Sequence, residues 1–212
     1  MNELDQLAEK YGTDKGNIHH SCDGVSYIQA YHEAFNPIRF NVRRVLEIGV
    51  YNGASIRMWC DYFPNAEVWG LDINPKTEQN IHSRAHIVIG DQSNISDLHE
   101  LTACRTYDII IDDGSHLVDH IIASHEILWP AVEAGGYYIV EDTTCANGDL
   151  TEHAKGWPGM KYNTPDTNFV NDRNKLNSWL IRQAFAAEHG HRNIADMRVR
   201  FNQFWFRKQK GE

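Results

Sequence analysis

The sequence predicts a doubly wound α/β fold built on a mostly parallel sheet. Three observations predict it. From Arg43 onward, short runs rich in β-branched and aromatic residues recur five times. These runs show little polar alternation, as strands covered on both faces do. Helix-like segments separate them, so each crossover can return the chain parallel and right-handed to the sheet.

Taken in order, residues 1–40 hold two helices around KYGTDKGNIHH (10–20), too little for an independent domain and better read as a small N-terminal helical cap. The strand runs are RRVLEIG (43–49), AEVWGLDI (66–73), AHIVIGD (85–91), YDIIIDD (107–113) and GYYIVED (136–142). Between them lie the helix-like segments ASIRMWCDYF (54–63), TEQNIHSR (77–84), ISDLHELTA (95–103) and LVDHIIASHEILWPAV (117–132). After Asp142 the pattern breaks. Residues 143–167 are polar and carry Gly and Pro, and a loop of that length inside a compact domain points to function. Its Trp157 and Tyr162 would stack on a ligand or simply pack. A helix is expected over 169–189, with Phe169, Leu176, Leu180 and Phe185 near helical spacing. The tail MRVRFNQFWFRK (197–208) predicts an antiparallel C-terminal hairpin turning near Asn202-Gln203. The expected organisation is one domain over 1–212: cap at 1–40, binding core at 43–142, substrate loop at 143–167, then a helix and strands over 168–212.

Composition narrows the function. With 42% hydrophobic residues in a chain of 212, a sizeable core is available. Lys+Arg 20 against Asp+Glu 29 leaves a net charge of −9, which argues against nucleic acid as a partner, because such a surface repels phosphates. The amphipathic, acidic start MNELDQLAEKYG does not resemble a signal peptide, and no apolar run nears the ~20 residues of a membrane helix. Cys22, Cys60, Cys104 and Cys145 form no CxxC pair, so reduced thiols and a cytoplasmic protein without membrane association are expected. A homo-oligomer is compatible with all of this.

Ligands of open α/β sheets bind outside the carboxyl ends of the strands. The first strand delivers Glu47, Gly49 and Gly53 there, the second Asp72, the third Asp91 and Gln92, the fourth Asp112, Asp113 and His116, the fifth Glu141 and Asp142. The first three sets suit a nucleoside: glycines let backbone approach it, and an acid ending the second strand can accept both ribose hydroxyl protons. EIGVYNG has the spacing G-x-x-x-G, so the dinucleotide fingerprint G-x-G-x-x-G is absent. Asp113, Glu141 and Asp142 should converge from adjacent strands, and three carboxylates at close range call for a cation between them. Hard oxygen donors without thiolate favour Mg²⁺, Mn²⁺ or Ca²⁺ over zinc. The plainer reading has Asp112 or Asp142 capping a helix or pairing with Arg173 or Lys175. His116, three residues after Asp113, would face the same space and could take a proton from a polarised hydroxyl. The chain has 12 histidines, so position alone singles it out.

Taken together, VLEIGVYNGASIRMW, GLDIN, GDQS, IDDGSH and IVEDT resemble a class I S-adenosylmethionine-dependent methyltransferase of Rossmann-like fold. More narrowly they resemble the metal-dependent sugar O-methyltransferases of macrolide and rhamnosyl type, with the cephalosporin hydroxylase group as a relative. The resemblance covers about 43–142 plus KYGTDKG. It implies Mg²⁺ (or Mn²⁺) ligands at Asp113, Glu141 and Asp142 and a general base at His116. It implies contacts to S-adenosylmethionine at Glu47, Gly49, Asp72, Asp91 and Gln92, with Asp112 near the adenosine and Thr13 and Lys15 at the methionine carboxylate. A catechol-type O-methyltransferase would expect a flat apolar acceptor pocket, whereas the polar 143–167 segment favours a sugar-containing small molecule. Arg173 and Lys175 would meet a phosphate of a nucleotide sugar or merely solvate a helix.

Overall fold

The computed structural model describes residues 1–16, 21–22, 25–77, 81–147, 172–200 and 202–211. Helix α1 (Glu3–Tyr11) starts on a reciprocal cap, with Asn2 accepting from the Asp5 amide and Asp5 from the Asn2 amide, and stops at Gly12 in the left-handed conformation. A two-stranded ribbon, β1 (Ser21–Cys22) and β2 (Val25–Ser26), leads into α2 (Tyr27–Phe35). The main sheet then builds through β3 (Arg44–Ile48), α3 (Ala54–Tyr62), β4 (Glu67–Asp72), β5 (Ala85–Ile89), α4 (Ile95–Thr102), β6 (Tyr107–Asp112), α5 (Val118–Leu128) and β7 (Val132–Val140). Helix α6 (Arg173–Glu188) and the hairpin β8 (Ile194–Arg200) and β9 (Gln203–Lys208) complete it.

The seven strands lie in the order β5-β4-β3-β6-β7-β9-β8. Strands β3 to β7 pair parallel, and β9 and β8 add antiparallel. The chain leaves β3 in one direction through β4 and β5 and resumes on its other side at β6. That reversal opens a crevice at the carboxyl ends of β3 and β6. The sheet is covered on both faces, as its apolar strands require. Val45, Ile109, Ile111 and Ile139 pack with residues of α1, α2 and α3. Leu46, Ile110, Tyr138 and Val140 pack with residues of α4, α5 and α6. Residues of β3, β6 and β7 thus alternate between two cores, with the odd numbers facing the cap.

Three local expectations need correction. The segment 77–84 is not helical in its described part. Asp72 and Asn74 side chains capture the amides of Asn74 and Lys76, and Thr77 N–H bonds the Asn74 carbonyl, so the backbone turns instead. Helix α5 begins at Val118, with Leu117 as its N-cap, so His116 precedes the helix. Helix α6 begins at Arg173 on the side-chain cap of Asp172; it buries Leu176 and Trp179 and leaves Phe185 exposed. Most of the expected substrate loop, with Trp157 and Tyr162, lies outside the described residues, as does Phe169.

His125 of α5 is fully buried among rings, 4.6 Å from Phe206, 4.9 Å from Tyr138 and Trp179, and 5.3 Å from Trp129. Neither ring nitrogen has a hydrogen-bond partner among the described residues. Burial, aided by Arg192, pushes its imidazole down to about 3. The folded state therefore binds that proton less well than the unfolded chain, and stability falls as pH drops below the ordinary imidazole value of about 6.5. Urea unfolding of wild type and His125→Phe should show a gap that widens in favour of the variant by about 2 kcal/mol between pH 7 and pH 5.

Candidate active site

The crevice is held open and shaped by close backbone contacts. Asp113 N–H bonds the Ile48 carbonyl at 3.0 Å, and Gly49 has φ +90°. A Cβ on Gly49 would stand 2.1 Å from the Asp113 carbonyl oxygen, so only glycine lets the exits of β3 and β6 touch. A cavity of about 530 Å³ opens beside them.

Thr13, Gly49, Asp72, Asp91 and Gln92 line this cavity, as expected of a nucleoside site. Asp72 holds the turn after β3: one carboxylate oxygen accepts from Val50 and Tyr51 N–H, both at 2.8 Å. Asp91 accepts from the Ser93 amide at 2.8 Å. Gln92 links three elements. Its amide donates to Asp112 at 2.7 Å and Ser124 at 3.0 Å, and its carbonyl accepts the Ser115 N–H at 2.9 Å.

Other expected contacts do not reach the cavity. Asp112 is buried on the far face, bonded to Gln92 and to the Tyr138 hydroxyl at 3.3 Å. Burial pushes its carboxyl up to about 7, although those bonds pull it down. Gly53 is the left-handed N-cap of α3, and a Cβ there would strike Ile81. Glu47 is fully buried and takes hydrogen bonds from Ser55 at 2.6 Å and Trp59 at 3.4 Å. The reason lies in the strand period of two. Glu47, Asp113 and Glu141 carry odd numbers and fall on the cap-side face.

Lys15 meets them there. Its ammonium contacts Asp113, lies 2.7 Å from Glu141 and 3.3 Å from Glu47, and is almost fully buried. The expected role at a ligand carboxylate is thus corrected: protein carboxylates occupy it. Burial by itself would lower Lys15, but Asp113, Glu141 and Glu47 outweigh this and hold it well above its ordinary range, so it stays charged. One ammonium serves three acids, and burial raises both Glu47 and Glu141 above the usual carboxylate range. Glu141 also accepts a hydrogen bond from Tyr31.

The expected convergence of three acids is accordingly revised. The ligand-like group is Asp113, His116 and Asp142, with one donor atom from each lying within 4.8 Å of the others. Glu141 is excluded because its neighbour's face, not its own, turns into the cavity. Asp142 gets there through a left-handed backbone, φ +53°, and His116 through φ +58°. Such conformations cost ~1–3 kcal/mol for residues other than glycine and concentrate at functional sites. His116 Nε2 stands 3.7 Å from an Asp142 carboxylate oxygen. Two carboxylates and one imidazole, all facing the cavity, suit a divalent cation with an exchangeable position. Arg173 and Lys175 are engaged elsewhere, Arg173 with the Thr143 carbonyl and Lys175 with Asp119. Sequence reasoning missed Tyr27, Tyr31 and Asn202, which hold Asp142 and Glu141 from the cap and the hairpin tip. Their spacing from the motifs gives no signal of it.

Residues 46–143 match the family described as a methyltransferase domain. The chain carries a methyltransferase domain. It is 39% identical to an 8-demethyl-8-α-L-rhamnosyl tetracenomycin-C 2′-O-methyltransferase of Streptomyces olivaceus, over 64% of this chain and 36% of that protein. It is 35% identical to a demethylmacrocin O-methyltransferase of Streptomyces fradiae, over 74% of this chain and 38% of that one. Among solved structures, the methyltransferase MycE of the mycinamycin pathway, in complex with Mg, SAH and mycinamycin VI, superposes with a TM-score of 0.75 at 30% identity, over 99% of this chain and 55% of that one. This methyltransferase domain spans well under half the length of those curated relatives. No helix among its described residues is long and apolar enough to cross a membrane.

Proposed function

We propose that the chain acts as a single-domain, cytoplasmic S-adenosylmethionine- and divalent-metal-dependent O-methyltransferase that modifies a sugar hydroxyl. The observation that carries this reading is the Asp113–His116–Asp142 group at one end of a cavity that also exposes Asp72 and Asp91. The relatives named for methylation of rhamnosyl and macrolide glycosides support a sugar over a catechol acceptor.

Bound here, the cation would lower the cost of an acceptor alkoxide, and S-adenosylmethionine would supply the methyl group. Asp113 and Asp142 would hold the cation, with Glu141 behind them, neutralised by Lys15 and Tyr31. Asp72 retains acceptor capacity for ribose hydroxyls beyond its three backbone bonds. Thr13 would close the cavity from the cap side. His116 would take the acceptor hydroxyl proton as the oxygen bonds to carbon and the carbon–sulfur bond breaks. No protein nucleophile is needed.

Methyl transfer from labelled S-adenosylmethionine to a panel of rhamnosyl and macrolide glycosides tests this. Activity should appear with Mg²⁺, vanish in EDTA and return with added Mg²⁺. Undiminished turnover in EDTA rejects the metal role. Absence of calorimetric binding by both S-adenosylmethionine and S-adenosylhomocysteine rejects the methyltransferase reading.

A further inference from the structure

Asp142 stands just past the end of β7, in a left-handed conformation that no regular element supports. Something else must set its carboxylate. Two neutral donors converge on its Oδ1: the Tyr27 hydroxyl at 2.9 Å and the Asn202 amide nitrogen at 2.8 Å. The other oxygen, Oδ2, is the one 3.7 Å from His116 Nε2.

We infer that Asn202, at the tip of the β8–β9 hairpin, acts with Tyr27 as a positioning residue that fixes Asp142 Oδ1 so that Oδ2 is presented to the cation. The inference rests on the reading of Asp142 as a metal ligand. The two donors are themselves locked together. Tyr27 shares its hydroxyl proton with the Asn202 carbonyl at 3.1 Å, and its oxygen accepts the Asp142 N–H at 3.3 Å. Asn202 also reads the next two residues: its carbonyl accepts the Thr143 N–H at 3.2 Å and its side-chain oxygen the Thr144 N–H at 2.6 Å. Asn202 thus grips 142, 143 and 144 in succession. Its own φ of +54° is one that asparagine tolerates and glycine tolerates better. The turn alone would therefore be served by glycine, and the amide is the part that only Asp142 and Thr144 use. Neutral donors orient a ligand without cancelling its charge, so the carboxylate stays available to a cation. Tyr27 comes from the cap and Asn202 from the hairpin, both outside the residues matched by the methyltransferase family. The two ends of the chain therefore meet on one oxygen of the candidate metal site.

Mn²⁺ titration of the full chain, followed by electron paramagnetic resonance, tests this with Asn202→Gly, Tyr27→Phe, the double variant and Asp142→Asn. Glycine keeps the left-handed turn and deletes the amide; phenylalanine keeps the ring and deletes the hydroxyl. Each single variant should weaken Mn²⁺ binding about tenfold or more. The double variant should lose less than the product of the two, because both donors serve one oxygen. Thermal unfolding in EDTA separates this from a merely structural role, which would lower the melting temperature and leave the Mn²⁺ affinity of the folded protein unchanged. If Asn202→Gly does not fold, Tyr27→Phe decides. Wild-type affinity in the folded variants, with Asp142→Asn binding weakly, overturns the positioning role alone. A wild type that binds no Mn²⁺, or an Asp142→Asn that binds it equally well, overturns the metal site and this inference with it.

Discussion

Methyl transfer by His116→Asn falls about 10²–10⁴-fold in kcat, the loss expected when a positioned base is removed. Asparagine is the informative replacement because His116 has φ +58°, a region asparagine enters readily. The turn between β6 and α5 then survives, along with the Ser115 N–H to Gln92 bond that shapes the cavity. Calorimetric affinity for S-adenosylhomocysteine should stay near wild type, so the loss appears in kcat and not in cofactor binding. The pH profile of kcat should lose the limb that reports the base. Full activity in this variant would assign the proton to another acceptor and leave His116 as a ligand.

The second large effect concerns stability. Lys15→Met removes the ammonium that faces Glu47, Asp113 and Glu141, and so leaves three acids together with no counter-charge from that position. Breaking a buried ion pair from one side typically costs about 3–5 kcal/mol. Urea unfolding at pH 7 should show a loss of that size, with Mg²⁺ restoring part of it by placing positive charge at Asp113. An unchanged unfolding free energy would mean that the acids already carry protons and that Lys15 is dispensable to the fold. Lys15→Met should also loosen the link between cap and sheet, since Gly12, Thr13 and Asp14 line the cavity just before it.

Much of the fold was legible because it depends on local pattern. Five apolar runs without alternation could be satisfied only by strands covered on both faces, and the two clusters on either side of the sheet are that solution. The hairpin at 194–208 followed from its turn. The misread segment at 77–84 shows the limit of periodicity. Asp72 and Asn74 compete for the backbone amides more effectively than a weak helical pattern does.

The site was legible in part, for a related reason. Which acids lie at the carboxyl edge follows from strand order, so Asp72, Asp91, Asp113 and Asp142 were all placed near one cavity from their positions alone. Which face each acid takes does not follow so simply. The period of two sends Glu47 and Glu141 to the cap side, where Lys15 waits from a distant part of the chain, 126 residues from Glu141. Left-handed turns at His116 and Asp142 then break the period and redirect those two side chains into the cavity.

By itself, then, the sequence determined the strand pattern, the acidic edge, the glycine contact at Gly49 and the pairing of an Asp-x-x-His stretch with a later acid. These are properties of neighbours along the chain, where spacing and side-chain chemistry act directly. Only the tertiary structure decided that Glu141 faces an ammonium, that Lys15 is internal, and that Tyr27 and Asn202 hold Asp142. Those assignments join residues more than 50 positions apart. Their partners are chosen by packing of the cap and hairpin on the sheet and by two strained backbone angles, neither of which is encoded in local spacing.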